Sequence, residues 1–264
     1  MKLYLKSVLP SRRRAALAGT VLALSTLLSS TAPAAARKLP VFYEGVITSG
    51  AAVEDPVWLA RSGKRVTGLC GFTALDGSDG TGARVLGKLR GSRLTGNLFN
   101  GKNRRIGTFS GERSGASLSG EFAETTGESG TWEATQVVAD RAAMRSIAGT
   151  YEASRIPSIG NDVALKIRFT NKGSFKGSVY YTGAGSRLLA GTLGGSWIAD
   201  AGGNLFLSVA KIKKKLPRGA NIGFKIPSNG AAVKFAFEKQ GSNLVVLNPF
   251  DRSTVFLTLK PSRR

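Results

Sequence analysis

Residues 163–181 read VALKIRFTNKGSFKGSVYY. In an extended chain Val163, Leu165, Ile167 and Phe169 share one face, with Lys166 and Arg168 on the other. The alternation stops at Asn171-Lys172-Gly173 and resumes with Phe175, Gly177, Val179 and Tyr181, with Lys176 and Ser178 opposite. Two period-two runs around a glycine-containing turn specify a β-hairpin with one buried and one solvated face. The same grammar recurs in Val233, Phe235 and Phe237, the turn Gln240-Gly241-Ser242-Asn243, and Leu244 to Leu247, then again from Thr254 to Lys260.

The first half repeats this scheme with more glycine. Leu94-Thr95-Gly96-Asn97-Leu98 returns as Leu118-Ser119-Gly120-Glu121-Phe122, and Gly107-Thr108-Phe109-Ser110-Gly111 as Gly130-Thr131-Trp132-Glu133-Ala134. A whole hairpin is therefore the repeating unit. Glycine inside strands marks bends or close backbone approach, which lets a sheet coil and close. A longer echo links Phe42-Tyr43-Glu44-Gly45 to Thr150-Tyr151-Glu152-Ala153, on either side of a single helical stretch, Val138 to Arg145. The sequence predicts an all-β protein of antiparallel meanders. Two barrel-like or strongly coiled lobes, 37–136 and 148–264, are joined by a short helical linker at 137–147. An outer-membrane barrel is disfavoured, because the strands read as shorter than roughly 9–11 residues and carry Lys or Arg where lipid would lie.

At the N-terminus, Lys2, Lys6 and Arg12-Arg13-Arg14 precede an apolar run from Ala15 to Leu28 and small residues ending in Ala34-Ala35-Ala36. This is the layout of a cleavable signal peptide, residues 1–36, cut near Ala36. Its apolar core is shorter than the roughly 20 residues of a spanning helix. The expected location is periplasmic or extracellular. Ser11-Arg12-Arg13 leaves the choice between the general and twin-arginine routes open.

The chain carries 38 Lys and Arg against 16 Asp and Glu, and no His. Basic residues crowd the second half: 37–144 holds 14 basic and 11 acidic side chains, and 145–264 holds 19 and 5. Such a surface attracts polyanions through counterion release and steering. The absence of histidine removes Ser–His and Cys–His nucleophiles and nearly every transition-metal site. With one cysteine, Cys70, no intramolecular disulfide can form. Cys70 alternates with Val66 and Gly68 and reads as a small core residue.

The remaining catalytic spellings are weak. Ser208-Val209-Ala210-Lys211 matches S-x-x-K, but a strand places its serine and lysine on opposite faces, and no S-D-N or K-T-G follows. Glu112, Glu121, Glu124, Glu128 and Glu133 read as exposed hairpin positions that pair with Arg90, Arg93, Lys102, Arg104 and Arg105 across strands. Asp76-Gly77-Ser78-Asp79-Gly80-Thr81-Gly82 reads as a long hairpin turn rather than a calcium loop. Gly183-Ala184-Gly185 lacks the third glycine of a phosphate loop. No catalytic residue, metal or cofactor is expected, and the protein reads as a non-enzyme.

The densest basic element is Lys211, Lys213, Lys214, Lys215 and Arg218, interrupted by Pro217. It is the candidate contact for an anionic polysaccharide, lipopolysaccharide or another acidic surface. Its competing role is a charged guard against edge-to-edge sheet pairing. Nucleic acid is the less favoured partner, since Tyr180 alone offers a base-stacking platform beside Lys176. The alternative function is small-ligand carriage in a barrel cavity lined by Phe169, Phe175, Tyr181, Phe235 and Phe237.

Through Asn171-Lys172-Gly173-Ser174-Phe175-Lys176-Gly177 and Leu188 to Gly195, residues 163–200 resemble the glycine-rich hairpin repeats of exported bacterial β-meander proteins of unassigned function. The resemblance implies an all-β exported module and transfers no functional residue. Lipocalin-like and avidin-like barrels parallel the carrier alternative in architecture, but no motif of either is present.

Overall fold

A computed structural model describes residues 38–50, 54–71, 82–154, 162–182, 187–215 and 231–262. The leader, most of the Asp76–Gly82 turn, Gly183-Ala184-Gly185, Pro217 and Arg218 lie outside the described residues. The fold is all-β, as the alternation predicts, and consists of two closed eight-stranded antiparallel barrels.

The N-terminal barrel runs in chain order through β1 (Val41–Ser49), β2 (Glu54–Ser62), β3 (Arg65–Cys70), β4 (Ala83–Arg90), β5 (Arg93–Phe99), β6 (Arg105–Ser114), β7 (Ser117–Glu124) and β8 (Ser129–Gln136), closing β8 onto β1. Helix α1, Arg141–Ile147, follows, with Asp140 as its N-cap accepting from the backbone N–H groups of Ala142 and Ala143. The C-terminal barrel comprises β9 (Gly149–Ala153), β10 (Val163–Phe169), β11 (Ser174–Tyr181), β12 (Leu188–Ala199), β13 (Asn204–Lys214), β14 (Ala232–Gln240), β15 (Asn243–Leu247) and β16 (Val255–Pro261). β16 closes onto β9 through two register pairs, Lys260 with Glu152 and Pro261 with Tyr151.

Glycines explain the closure of the first barrel. Gly87 lies opposite Gly96, and Gly111 opposite Gly120, in register. The two phrases of the sequence repeat thus occupy β5 and β7, and each puts its glycine against a glycine of the neighbouring strand. An eight-stranded barrel is just wide enough to be filled by side chains. Here Tyr43, Val57, Leu59, Val66, Val85, Leu94, Leu98, Phe109, Leu118 and Trp132 are buried in one continuous core. Trp132 stacks on Phe109 with ring centroids 4.3 Å apart. Its Nε1 donates to the carbonyls of Ser110 and Glu121 at 3.0 and 3.3 Å.

The C-terminal barrel is built around a second tryptophan. Trp197 is fully buried, meets Phe169 edge-on at 5.0 Å, and donates from Nε1 to the carbonyls of Thr170 and Ser174. Leu165, Leu193, Phe235, Phe237 and Leu257 pack against this core but are only half-buried.

The two barrels share an apolar joint. Phe42, Trp58 and Ala60 from the first barrel belong to the same buried cluster as Ile198, Phe206 and Ala232 from the second, together with Met144 and Ile147 of α1. Phe42 and Phe206 have ring centroids 6.1 Å apart. Lys234 Nζ reaches Glu44 Oε1 at 2.5 Å, and the Thr67 and Ser208 hydroxyls meet at 3.4 Å. The sequence suggested lobes joined by a linker, whereas the barrels are also joined directly through packed side chains.

Candidate functional site: basic outer faces

Barrel register converts scattered lysines and arginines into rows. On the outside of the C-terminal barrel, Arg168 lies opposite Lys176, Lys176 opposite Gly194, and Gly194 opposite Lys211. A second row runs Lys166, Ser178, Thr192, Lys213. Arg168, Lys176, Lys211 and Lys213 are exposed. None of the four forms an ion pair among the described residues, where the two pairs are Lys166–Glu152 and Lys234–Glu44. Like charges directly opposite one another across strands are destabilising, so Arg168 and Lys176 retain a cost that a bound anion would relieve.

Glu152 is the acidic group of this face. It sits opposite Lys166 on β9, 2.8 Å from Lys166 Nζ, and accepts from Ser262 Oγ at 2.8 Å. The hydrogen bond from Lys166, then that from Ser262, holds its carboxyl below the ordinary carboxylate value. Lys166 is thereby neutralised, which leaves the other four cations as the free charge of the face.

Of the predicted cluster, Lys211 and Lys213 stand on this face, and Lys215, just past β13, is exposed. Lys214 occupies the next strand position, opposite Gly191. Arg168 and Lys176 were not counted with them in the sequence. The turn Thr170–Gly173, which sets Phe169 against Phe175, is the signal that would have placed both on one row.

A register shift in β12/β13 alters one expectation. Val209 lies opposite Gly195 and Lys211 opposite Gly194, so Ala210 is the extra residue of a bulge. Ser208 and Lys211 consequently share the outer face instead of pointing apart. Ser208 is nonetheless buried in the joint, against Thr67.

The N-terminal barrel segregates its charges instead of pairing them. Among Glu112, Glu121, Glu124 and Glu133, Glu112 alone faces a cation in register, Arg93. The carboxylates of β7 and β8 face Ser, Thr, Gly and Val positions. β3–β5 carry five cations and no acidic residue, and form an open concavity of about 990 Å³ lined by Lys64, Arg65, Lys88, Arg90, Thr95 and Asn97, with Leu86 and glycines between them. Among the described residues no carboxylate lines it. Arg84, beside it, lies 5.5 Å from the Phe99 ring and donates to Asn103.

The five aromatic residues of the carrier alternative separate into two groups. Phe169 and Phe175 are buried in the plug around Trp197, with their rings 6.2 Å apart. Tyr181, Phe235 and Phe237 are half-buried. A cleft of about 230 Å³ opens at the sparsely paired β9/β16 seam, lined by Ala153, Val255, Phe256 and Leu257 with Glu152 and Lys260 at its edge.

Cys70 is buried and donates from Sγ to the Ala83 carbonyl at 3.4 Å. Burial pushes its thiol up to about 12, so no thiolate is present near neutral pH. Among the described residues no group of three or more Cys, Asp or Glu converges as a metal site. Likewise no described helix is long and apolar enough to cross a membrane. No protein-family model, curated protein or solved structure matches the chain.

Proposed function

We propose that the chain is an exported, non-enzymatic protein that docks on an anionic polysaccharide, including that of lipopolysaccharide, through the outer face of its C-terminal barrel. The observation that carries this reading is the set of four exposed cations, Arg168, Lys176, Lys211 and Lys213, aligned in two adjacent cross-strand rows without carboxylate partners among the described residues. Ser178 and Thr192 lie between them and supply hydroxyls for a sugar chain. Strand pairing fixes the backbone spacing of these residues, so the ordering entropy lost on the protein side when a polymer settles there is that of the side chains.

The test is salt-dependent binding to immobilised heparin or another acidic polysaccharide. Each neutralised anion contributes roughly 0.7–0.9 to the slope of log affinity against log salt, by analogy with nucleic acids. Replacing Arg168, Lys176, Lys211 and Lys213 together by glutamine is expected to lower that slope by about 3. A variant with the parental slope sinks the proposal.

Carriage of a small apolar ligand is the second reading. It is favoured by the half-buried inner side chains of the C-terminal barrel and by the seam cleft, beside which Val255 is 55% exposed. A fluorescent apolar probe such as an anilinonaphthalene sulfonate is expected to bind saturably, one per chain. Val255→Glu should weaken it about threefold, since the exposed carboxylate stays largely solvated and removes only part of the apolar lining. Absence of saturation removes this reading.

A further inference from the structure

We infer that the basic face of the C-terminal barrel and the basic concavity of the N-terminal barrel form one track for a single acidic polysaccharide chain, which passes over the joint outside the buried Thr67–Ser208 contact. This inference rests on the polymer-docking reading and extends it to a second site and a minimum ligand length.

Strand register supplies the continuity. Arg65, Thr67 and Leu69 alternate on one face of β3, and Thr67 contacts Ser208 of the other barrel, so this is the outer face. Arg65 is the next outward residue after Thr67, lies opposite Lys88, and lines the concavity. Thr67 itself lies opposite Leu86, another lining residue. On the second barrel the bulge at Ala210 makes Lys211 the next outward cation after Ser208. The Thr67 and Ser208 hydroxyls are 3.4 Å apart. At about 3.3 Å of rise per strand residue, the Arg65 and Lys211 backbones then lie within about 25 Å of each other. Both side chains are long and exposed.

The lining chemistry selects the ligand. Lys64, Arg65, Lys88 and Arg90 provide four cations, with Arg65 and Lys88 directly opposite and therefore mutually repelling. Thr95 and Asn97 provide hydroxyl and amide groups, and Leu86 with Gly87 and Gly96 provides a low, side-chain-poor floor for a sugar ring. Single-stranded nucleic acid would need aromatic platforms for its bases. Among the described residues no aromatic side chain lines the concavity, and the Tyr180 ring on the C-terminal face is already covered by Arg187 at 4.1 Å. Repeated charge without bases fits a polyuronate or sulfated glycan.

Two sites occupied by one chain raise affinity through effective concentration, and short chains cannot benefit. The experiment titrates the full chain calorimetrically with size-defined heparin oligosaccharides, one series shorter and one longer than 25 Å. The short series should bind two per protein and the long series one. The variant R65Q/K88Q/R90Q, with its thermal midpoint and near-ultraviolet dichroism checked against the parent, should bind one short oligosaccharide. It should lose roughly ten- to a hundredfold in affinity for the long series.

Long chains binding two per protein, or a loss smaller than about twofold in that variant, would overturn the track while leaving the docking face intact. If long chains bind the parent but the substitutions at Arg168, Lys176, Lys211 and Lys213 have no effect, the docking face itself fails, and the track with it. Tighter binding of single-stranded DNA of equal charge would overturn the assignment to polysaccharide.

Discussion

Replacing Gly120 by alanine is expected to destabilise the protein by about 3 kcal/mol or more, at the upper end for overpacking. A Cβ there would lie 2.0 Å from the Ser110 carbonyl oxygen and 2.4 Å from the Gly111 Cα. Both obstacles are backbone of the paired strand β6, so no side-chain rotation relieves the overlap. The strands would have to separate, giving up ladder hydrogen bonds and opening the barrel wall beside Trp132, which donates to the Ser110 carbonyl.

The equivalent position in the other copy of the repeat is less crowded. At Gly96 the nearest atoms are the Leu86 carbonyl at 2.9 Å and Gly87 Cα at 3.0 Å, so Gly96→Ala should cost about 1 kcal/mol, the lower end of the same range. Gly50, with nothing within 4 Å and no positive φ, is the control. There alanine should be neutral or stabilise by up to about 1 kcal/mol through the unfolded chain. Urea unfolding of the three variants checks the order, and equal costs at Gly120 and Gly50 would refute this account of the barrel's closure.

These glycines also show what the sequence could and could not convey. Alternation in Val163–Tyr181 identifies inner and outer faces directly, because the side-chain period of a strand is two. The repeat phrases mark strand glycines but not their partners. That Gly111 faces Gly120 follows from turn geometry, which spacing alone does not set.

The joint left a signal of a different kind. Val57-Trp58-Leu59-Ala60, Trp197-Ile198-Ala199 and Leu205-Phe206-Leu207 are continuous apolar runs, and such runs belong to strands covered on both faces. The alternate members Trp58, Ile198 and Phe206 are the ones buried between the barrels. The bulge at Ala210 carried no such mark: a one-residue insertion inverts facing without changing composition, so the placement of Lys211 beside Ser208 became visible in three dimensions only. The rows of the basic face were half legible. Arg168 and Lys176 are fixed by a four-residue turn, whereas their alignment with Lys211 depends on a strand pairing more than thirty residues away in sequence.

Phe206→Ala is expected to cost about 3–5 kcal/mol, the range for a buried aromatic truncated to alanine. Its effect should also differ in kind from that of a barrel-interior substitution. Phe206 is fully buried, yet it lies on the outside of β13, opposite Ile198 and Lys234, with its ring against Phe42 of the other barrel. Lys234 lies 5.9 Å from the same ring while pairing with Glu44. Removing the ring therefore takes away apolar packing from the joint and loosens the ion pair beside it. The Trp132 and Trp197 cores are left in place. The two barrels lose coupling more than internal stability.

A single cooperative unfolding transition in the parent should separate into two in the variant, resolvable by amide hydrogen exchange as distinct protection of β1–β8 and β9–β16. The same substitution bears on binding. Neither Arg65, Lys88 and Arg90 nor Arg168, Lys176, Lys211 and Lys213 is altered, so each site should keep its affinity for short acidic oligosaccharides. Long chains should lose the advantage of simultaneous engagement, because that advantage depends on the barrels being held in fixed register. If Phe206→Ala unfolds in one transition and binds long chains as the parent does, the joint neither couples the barrels nor aligns their charge. A selective loss for long chains would instead tie the outward placement of one phenylalanine to the length of polymer the protein can grip.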